Sequence, residues 1–306
     1  MRNKNSMAPD MPTGPTIPWS DQAWKIRQRN FPMEIELVLP ERTGTVSVTG
    51  RECSMNCAHC GGHYLRGMKT LDQILSRPPG EDTGNYLSYL VSGGYTKEGK
   101  IPLGKYWSEL RRLKKYGRLN FHTGLVSREE AEALKPLADT VSFDFVGDDE
   151  LIQKVYGADF RAEDFLRSYE YLLDTLGPKR VIPHVILGLN EGKIGTEMGT
   201  VGLLKEVGLE SLVLLIFNPT RGTRFAGCSP PDLDSVGALL AEIRIALPST
   251  PLTLGCMRPG GRYREAVDIL AVHCGINKIV TPTPSLEAHA RRRGLGVIWK
   301  RECCVL

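Results

Sequence analysis

Three cysteines stand close together early in the chain, and cysteine side chains can bind metals or act as nucleophiles. Cys53, Cys57 and Cys60 fall within eight residues at a Cys-x3-Cys-x2-Cys spacing, which is too close for disulfides among them. A loop this short can wrap three thiolates around one face of a cubane iron–sulfur cluster. One iron then has no protein ligand and is open to a bidentate small molecule.

A zinc site is the alternative interpretation of the same loop. His63 could serve as a fourth ligand and complete a Cys-Cys-Cys-His set of plausible spacing. Structural zinc usually organises a small domain that lacks its own core, whereas this triplet follows a predicted strand in a chain with ample apolar residues. The context therefore favours an iron–sulfur cluster.

The composition is that of an enzyme-sized globular chain. Of 306 residues, 41% are hydrophobic, 24% charged and 7% aromatic, which excludes a disordered chain, a coiled coil and a disulfide mini-protein. A net charge of +4 without a concentrated basic face predicts no nucleic-acid partner. The apolar runs are too short for a membrane span, and the first forty residues lack the apolar region of a signal peptide. We therefore expect a cytoplasmic protein whose eight cysteines are reduced.

From about residue 44 the sequence alternates short β-branched runs with longer amphipathic stretches, a pattern typical of parallel strands connected by helices. The predicted strands are 45–49, 86–91, 118–121, 140–145, 181–187, 211–217, 252–254 and 278–280. The predicted helices are 107–116, 127–137, 162–176, 196–207, 233–246, 263–274 and 285–293.

Eight strand–helix units indicate an α/β fold, most simply a closed (β/α)8 barrel of the TIM type, with its chemistry in the loops after the C-terminal strand ends. A doubly wound open sheet is the alternative, and the absence of Gly-x-Gly-x-x-Gly after the first strand weakens it. We expect residues 1–43 to form an N-terminal extension, an extended arm wrapping onto the fold. Residues 44–294 would form the barrel and 295–306 a cysteine-containing tail.

The cysteine spacing resembles the signature of the radical S-adenosylmethionine superfamily. In that family a 4Fe-4S cluster binds the amino and carboxylate groups of S-adenosylmethionine, and an electron from the cluster splits the cofactor to a 5'-deoxyadenosyl radical. After the second predicted strand, Ser92, Gly93 and Gly94 resemble the family's Gly-Gly-Glu segment, whose backbone holds the methionyl amino group. Tyr95 stands in place of the acidic residue, so only the glycine backbone carries over.

The resemblance continues on the fifth predicted strand. Ile186, Gly188 and Glu191 match the family's Ile-x-Gly-x-x-Glu motif, where the main chain passes close under the adenine. His59, between the second and third cysteines, stands where the family usually has an aromatic residue near the adenine. The resemblance thus implies that these residues bind S-adenosylmethionine.

Polar side chains on the middle strands are further candidates for the barrel interior. Ser142 and Asp144 share one face of their predicted strand because side chains alternate with period two. Asp144 either points into the barrel and binds the ribose hydroxyls or caps a helix. His122 and His184 either line the substrate cavity or are satisfied core residues.

Two later segments are similar to the biotin synthase branch of the superfamily. Residues 216–223 follow the sixth strand as an Asn-Pro segment does in that branch, and residues 255–262 resemble the segment from which biotin synthase ligates its sulfur-donating cluster. The overall pattern is similar to a component of the two-protein lipoyl synthase of archaea and some bacteria. This implies sulfur insertion into a carrier-bound octanoyl chain. The implied partners are a sister radical S-adenosylmethionine subunit, an octanoylated lipoyl carrier protein and a reductant such as ferredoxin or flavodoxin.

Sulfur insertion needs a sulfide source besides the radical generator, so the later cysteines discriminate between activities. Cys256 ends a predicted strand and is the candidate catalytic cysteine and cluster ligand. Cys303 and Cys304 follow an apolar stretch, 295–299, that could return the C-terminus to the barrel and let the pair share an auxiliary iron–sulfur cluster with Cys256. Cys274 lies on an apolar helix face and is expected in the core. If the later cysteines are spectators, the alternative is a rearrangement or maturation enzyme resembling the methylornithine-forming or hydrogenase-maturation branches.

Overall fold

One parallel sheet of eleven strands organises the chain in a computed structural model that describes residues 18–76 and 86–306. The strands are β1 (Glu34–Val38), β2 (Thr43–Ser47), β3 (Lys69–Thr70), β4 (Ser88–Ser92), β5 (Arg118–His122), β6 (Thr140–Asp144), β7 (Val181–Leu187), β8 (Leu212–Ile216), β9 (Leu252–Leu254), β10 (Lys278–Val280) and β11 (Gly296–Lys300). The helices are α1 (Pro18–Asn30), α2 (Leu71–Leu75), α3 (Trp107–Lys114), α4 (Arg128–Leu134), α5 (Asp149–Tyr156), α6 (Ala162–Leu176), α7 (Glu197–Val207), α8 (Leu233–Ala246), α9 (Gly261–His273) and α10 (Leu286–Arg292). Within these two ranges no helix is long and apolar enough to cross a membrane.

The sheet curls into a half-barrel in the order β11-β1-β10-β9-β8-β7-β6-β5-β4-β2-β3, and every strand pair is parallel. The eight predicted strands correspond to β2 and β4 to β10, so the predicted α/β class with a parallel sheet is confirmed. A closed eight-stranded ring does not form, because among the described strands β3 and β11 are the two edges and do not pair. An eight-stranded ring would need β10 to pair with β2. Instead β10 pairs with β1, which in turn pairs with the edge strand β11.

The N-terminal part of the chain forms regular structure. α1 buries Ala23 and Trp24 and packs on α8 and α9, and β1 buries Ile35 and Leu37. The prediction of an extended arm was therefore wrong for the described residues after 17, while residues 1–17 lie outside the described range. The prolines in this part of the sequence favour an extended chain. The alternation of apolar residues in β1 is too short to predict a strand there.

The C-terminal tail crosses the open side of the half-barrel after β11. The N–H of Arg42 donates to the carbonyl of Arg301 at 2.8 Å, which ties the tail to the start of β2. Glu302 pairs with Arg118 at the start of β5, at 2.6 Å. Val305 then packs inside the sheet with residues of β7 and β8. The tail therefore returns to the barrel, as the apolar stretch 295–299 predicted.

Alternating side chains divide β6 between the core and the interior of the half-barrel. Phe143 and Phe145 face outward and pack on Tyr169 of α6, with ring centroids 6.0 and 5.9 Å away. Ser142 lies on the inner face, where Asn120 of β5 donates to its hydroxyl at 3.0 Å. The predicted division of this strand is correct. It places Asp144, two residues after Ser142, on the same inner face.

Candidate active site

The cysteine triplet lies in a loop that leaves the C-terminal end of β2, and the end of β4 fixes one side of this loop. The N–H of Gly94 donates to Oγ1 of Thr49 at 2.7 Å. The N–H of Ser54 donates to the carbonyl of Tyr95 at 2.8 Å. A Cβ atom on Gly94 would lie 1.9 Å from the carbonyl oxygen of Glu52, so only glycine permits this close approach.

The other side of the cysteine loop is held by α5 and by the loop that follows β8. The N–H of Ala58 donates to the carbonyl of Val155 at 2.8 Å, and its carbonyl accepts from the N–H of Phe225 at 2.9 Å. The hydroxyl of Tyr64 lies 3.1 Å from Oγ1 of Thr220. Segments far apart in the sequence therefore converge to position this short loop.

The three thiols are close enough to influence one another electrostatically. Cys57 is buried, and Cys53 and Cys60 are half-buried. Burial, followed by the charges of Cys60 and Cys53, raises the pKa of Cys57 to about 12. Burial also raises the pKa of Cys60. Without a bound cation the thiols of Cys57 and Cys60 stay protonated at neutral pH, whereas a metal would favour their thiolate forms.

The described residues form no site for a single metal ion at the cysteine loop. Across residues 18–76 and 86–306, no three His, Cys, Asp or Glu side chains converge closely enough to hold one metal ion. The zinc alternative needs four such ligands, and His63 does not complete a set with the cysteines. A cubane takes one thiolate per iron, so three thiolates around its face need not meet at a point.

His59 lies within the cysteine loop with an unused polar atom. Its Nδ1 is buried and has no hydrogen-bond partner among the described residues. Burial lowers the pKa of His59 to about 4, so the ring is neutral at physiological pH. The ring packs edge-on against Tyr156 at 6.4 Å between centroids. A neutral ring with an unused nitrogen can contact a ligand bound at the loop.

An acid and two histidines line the inner face of β5, β6 and β7. Oδ2 of Asp144 lies 3.6 Å from Nδ1 of His122, and the side chains keep 29% and 24% of their exposure, so the interior is open here. Burial alone would raise the pKa of Asp144, but the hydrogen bond and charge of His122 outweigh it and lower the pKa. The same contact outweighs burial at His122 and raises its pKa. Burial, then the charge of His122, lowers the pKa of His184 to about 4.

These contacts show where the side chains of Asp144, His122 and His184 lie. The carboxylate of Asp144 points into the half-barrel toward His122, so the interpretation as a helix cap is wrong. His122 and His184 also line the interior, with ring centroids 5.5 Å apart. The interior wall therefore presents an ionised carboxylate, an imidazole whose pKa is raised and a neutral imidazole.

Local packing accounts for most of the conformation of the predicted Ile-x-Gly-x-x-Glu segment at the end of β7. Gly188 has φ 73°, and a Cβ there would lie 2.8 Å from Pro231. Glu191 has φ 56°, and its carboxylate pairs with Lys154 at 2.6 Å. Ile186 packs beside the apolar inner-face residues of β7 and β8. The turn is tight and close to the interior, but the charge of Glu191 is directed to α5.

The later cysteines lie within electrostatic reach of one another. Cys256 follows β9 and is exposed, although surrounding protein, then the charge of Cys303, raises its pKa. Sγ of Cys303 accepts from Nδ2 of Asn120 at 3.6 Å, and a hydrogen bond with Cys304 lowers its pKa. The charge of Cys256 also acts on Cys304. Cys274 is buried in the core as predicted, where Sγ donates to a backbone carbonyl at 3.3 Å.

One contact of this site has no signal in the sequence. Asn120 reaches Cys303 only because the fold brings distant segments together. Thr220, which lies beside the hydroxyl of Tyr64, falls within the predicted segment 216–223. Tyr95 had a partial signal, since it replaces the acidic residue of the glycine segment. Burial raises its pKa well above the ordinary value, so its hydroxyl stays protonated.

The fold and site together define an α/β half-barrel with a three-cysteine loop at the C-terminal ends of its strands. No family model matches the chain, and no curated protein matches it. Solved structures share the fold. Methylornithine synthase is 12% identical, with a TM-score of 0.64 over 92% of this chain and 88% of that chain. The FeFe-hydrogenase maturase HydG from Carboxydothermus hydrogenoformans is 15% identical, with a TM-score of 0.62 over 86% of this chain.

A third structure with this fold was solved with a ligand. Streptococcus suis SuiB bound to S-adenosylmethionine is 16% identical, with a TM-score of 0.50 over 79% of this chain. This chain spans 62% of the length of the hydrogenase maturase and 54% of SuiB. At these identities the likeness establishes a common fold.

Proposed function

We propose that this chain is a radical S-adenosylmethionine enzyme. The observation that carries the proposal is the Cys-x3-Cys-x2-Cys loop at the C-terminal end of β2, where its thiols are within electrostatic reach of one another. In barrels built from parallel strands, chemistry lies in the loops at this end. Three proteins that share the fold are radical S-adenosylmethionine enzymes, which supports the assignment.

Cys53, Cys57 and Cys60 would each bind one iron of a 4Fe-4S cluster and leave the fourth iron open to S-adenosylmethionine. When bound, the reduced cluster supplies the electron that splits the cofactor to a 5'-deoxyadenosyl radical. Tight anchoring of the loop at Gly94 and Ala58 would hold the thiols in place during this chemistry.

The inner wall offers groups that suit the rest of the cofactor. Asp144 is ionised and open to solvent, so it can accept hydrogen bonds from ribose hydroxyls. His59 can contact the adenine through its unused nitrogen. The backbones of Gly93 and Gly188 would lie along the methionyl group and the base. The carboxylate of Glu191 pairs with Lys154. We therefore propose that Glu191 contributes to this site through its backbone turn and not through its carboxylate.

For the reaction we propose sulfur insertion into an octanoyl chain on a lipoyl carrier protein. Cys256, Cys303 and Cys304 would ligate an auxiliary iron–sulfur cluster that donates the sulfur, with Cys256 nearest the C-terminal mouth. Their mutual electrostatic influence across the interior supports this role. A sister subunit would insert the second sulfur, and ferredoxin or flavodoxin would supply electrons in a reducing cytoplasm.

A rearrangement or maturation enzyme without sulfur insertion is the second candidate. The fold likeness to methylornithine synthase and to the hydrogenase maturase favours it. In that case Cys256, Cys303 and Cys304 would carry no catalytic role, and one cluster would suffice.

Metal analysis of protein isolated without oxygen tests these proposals. We expect iron and sulfide, and 5'-deoxyadenosine on reduction with S-adenosylmethionine. Cys57→Ala should abolish this cleavage, whereas Cys274→Ala, which changes a buried core cysteine, should retain it. A colourless protein with stoichiometric zinc would refute the assignment.

Iron content separates the two reactions. Sulfur insertion requires about eight irons per chain if both clusters are cubanes, and loss of about four when Cys256, Cys303 and Cys304 are changed together. About four irons in the reconstituted wild type would exclude the auxiliary cluster and leave the radical chemistry standing. Incubation with an octanoylated lysine peptide and the partner subunit, followed by mass analysis for added sulfur, tests the substrate.

A further inference from the structure

The end of the C-terminal tail crosses the half-barrel at the N-terminal ends of the strands. The N–H of Cys303 donates to Oγ1 of Thr43 at 2.7 Å, and Nζ of Lys278 donates to the carbonyl of Cys304 at 2.8 Å. Thr43 and Lys278 are the first residues of β2 and β10. The N–H of Leu306 donates to the carbonyl of Cys303 at 3.0 Å, which closes the tail into a turn. The tail is therefore fixed to strands near both edges of the sheet.

Val305 packs on an apolar cluster that is separate from the main core. This inner apolar cluster comes from β7, β8 and the residues after β9, and consists of Ile182, Ile186, Val213, Leu215 and Met257. His184 stands between the two isoleucines of β7 and faces the interior, where its ring lies 5.5 Å from that of His122. Because side chains alternate along a strand, both isoleucines face the interior as well. The inner wall is thus apolar along β7 and β8 and polar along β5 and β6.

The space between the tail and the C-terminal mouth is open on both walls. On the polar wall, His122 and Asp144 end β5 and β6, and their side chains keep 24% and 29% of their exposure. On the apolar wall, Ile186 near the end of β7 and Met257 after β9 are half-buried. Apolar surface therefore remains accessible opposite Asp144.

A second cavity of about 460 Å³, the lower cavity, lies at the N-terminal ends of the strands. Its walls include Lys179 and Ser211, which precede β7 and β8. Val305 lines this cavity together with Ile182 and Val213, which belong to the inner apolar cluster. Val305 therefore stands at the boundary between the interior of the half-barrel and the lower cavity.

We infer that the inner apolar cluster binds the aliphatic chain of the substrate and that Val305 sets the length of chain that fits. This inference rests on the proposed function, in which the cofactor takes the polar wall at Asp144 and leaves the apolar wall to the acyl group. Each methylene that is buried on this wall should strengthen binding by about fourfold. The chain would run from the C-terminal mouth over Ile186 and Met257 and end against Val305.

The dependence of binding on chain length tests the inference. The probes are peptides whose lysine carries a hexanoyl, octanoyl, decanoyl or dodecanoyl group. Calorimetry measures their binding to protein isolated without oxygen, with S-adenosylmethionine but no reductant, so that no turnover occurs. Val305→Ala shortens the side chain at the boundary and opens the way to the lower cavity. The ratio of decanoyl to octanoyl affinity should then rise by about fourfold or more.

Val305→Phe fills the boundary and should shift the preference the other way. Octanoyl affinity should fall by about fourfold or more relative to hexanoyl affinity. Val207→Ala is the matched control, because Val207 ends α7 and packs on the main core outside the half-barrel. It should keep the wild-type order of affinities. Circular dichroism checks the fold of each variant, and Val305→Ala alone decides if Val305→Phe does not fold.

The wild-type order of affinities in Val305→Ala, or an equal change in Val207→Ala, would overturn the inference. A wild-type protein that binds none of the peptides would overturn it too. Failure of the proposed function looks different. The wild type would then bind the peptides with the expected preference for length, yet add no sulfur to the octanoyl group when it is reduced with S-adenosylmethionine and the partner subunit.

Discussion

Gly94 is the residue on which the position of the cysteine loop depends most directly. Its amide binds Thr49, and a side chain there would collide with the backbone of Glu52 and with Cys53. Gly94→Ala should displace the loop, lower the free energy of unfolding by about 1 to 3 kcal/mol and reduce bound iron. Iron analysis and denaturant titration check this.

The matched control is a glycine with room for a side chain. Gly202 lies inside α7, and nothing lies within 4 Å of a Cβ built on it. Gly202→Ala should keep full iron content and stabilise the protein by roughly 0.5 to 1 kcal/mol. Full iron content in Gly94→Ala would contradict the role given to Gly94.

The Asp144–His122 pair predicts a pH dependence of stability. Asp144 has a lowered pKa, so its contribution is present above its unfolded pKa of about 3.9 and is lost as pH falls through the folded value. His122 has a raised pKa, so its contribution is present below its unfolded pKa of about 6.5 and is lost as pH rises through the folded value. The pair therefore stabilises the fold most between these limits.

Asp144→Asn should lower the pKa of His122, because burial then outweighs the charge of Cys303, which is the other group that raises this pKa. NMR titration of the His122 ring measures the shift. The variant should also lose more unfolding free energy at about pH 5.5 than at about pH 8.5. An unchanged His122 pKa would show that the two side chains are not coupled.

At the scale of elements, a buried arginine joins the end of α8 to the strands beside it. Arg244 is fully buried and donates to the carbonyls of Leu247 and Thr250 and to Oδ1 of Asn277, at 3.0, 2.9 and 2.6 Å. Burial lowers its pKa to about 9, which still leaves it charged at neutral pH.

Arg244→Ala should cost roughly 3 kcal/mol, because it leaves several buried acceptors without donors. Arg167→Ala is the control, since its side chain is 49% exposed and should change stability by less than about 0.5 kcal/mol. Thermal and denaturant unfolding measure both. Equal effects of the two changes would refute the structural role of Arg244.

The sequence predicts best those elements whose pattern is contained in their own residues. β7, β9, β10, α6 and α8 match the predicted bounds, because their apolar residues fall in continuous or periodic runs within the element itself. β1 and β11 were missed as strands, since each owes its stability mainly to partners far away in the chain. The same limit applies within the site. Cys53 can be recognised from its spacing, whereas Asn120 reaches Cys303 only through the topology.

At the scale of the whole molecule, the core does not depend on the cysteine loop. Its apolar cluster extends from α1 to α10 and includes only a few residues of the loop. Removal of iron by a chelator should therefore abolish cleavage of S-adenosylmethionine while leaving the far-UV circular dichroism spectrum nearly unchanged. A domain organised by structural zinc would instead unfold when its metal is removed, so loss of the spectrum would contradict this prediction.

The position of β1 has a consequence for synthesis of the protein on the ribosome. Residues 34–38 are made early, yet β1 pairs only with β10 and β11, which lie more than 200 residues later. While the central strands of the sheet fold in turn, Ile35 and Leu37 stay without their partners until residues 278–300 have emerged. The growing chain therefore carries an unpaired apolar strand through most of translation, and one of its earliest segments is among the last to fold.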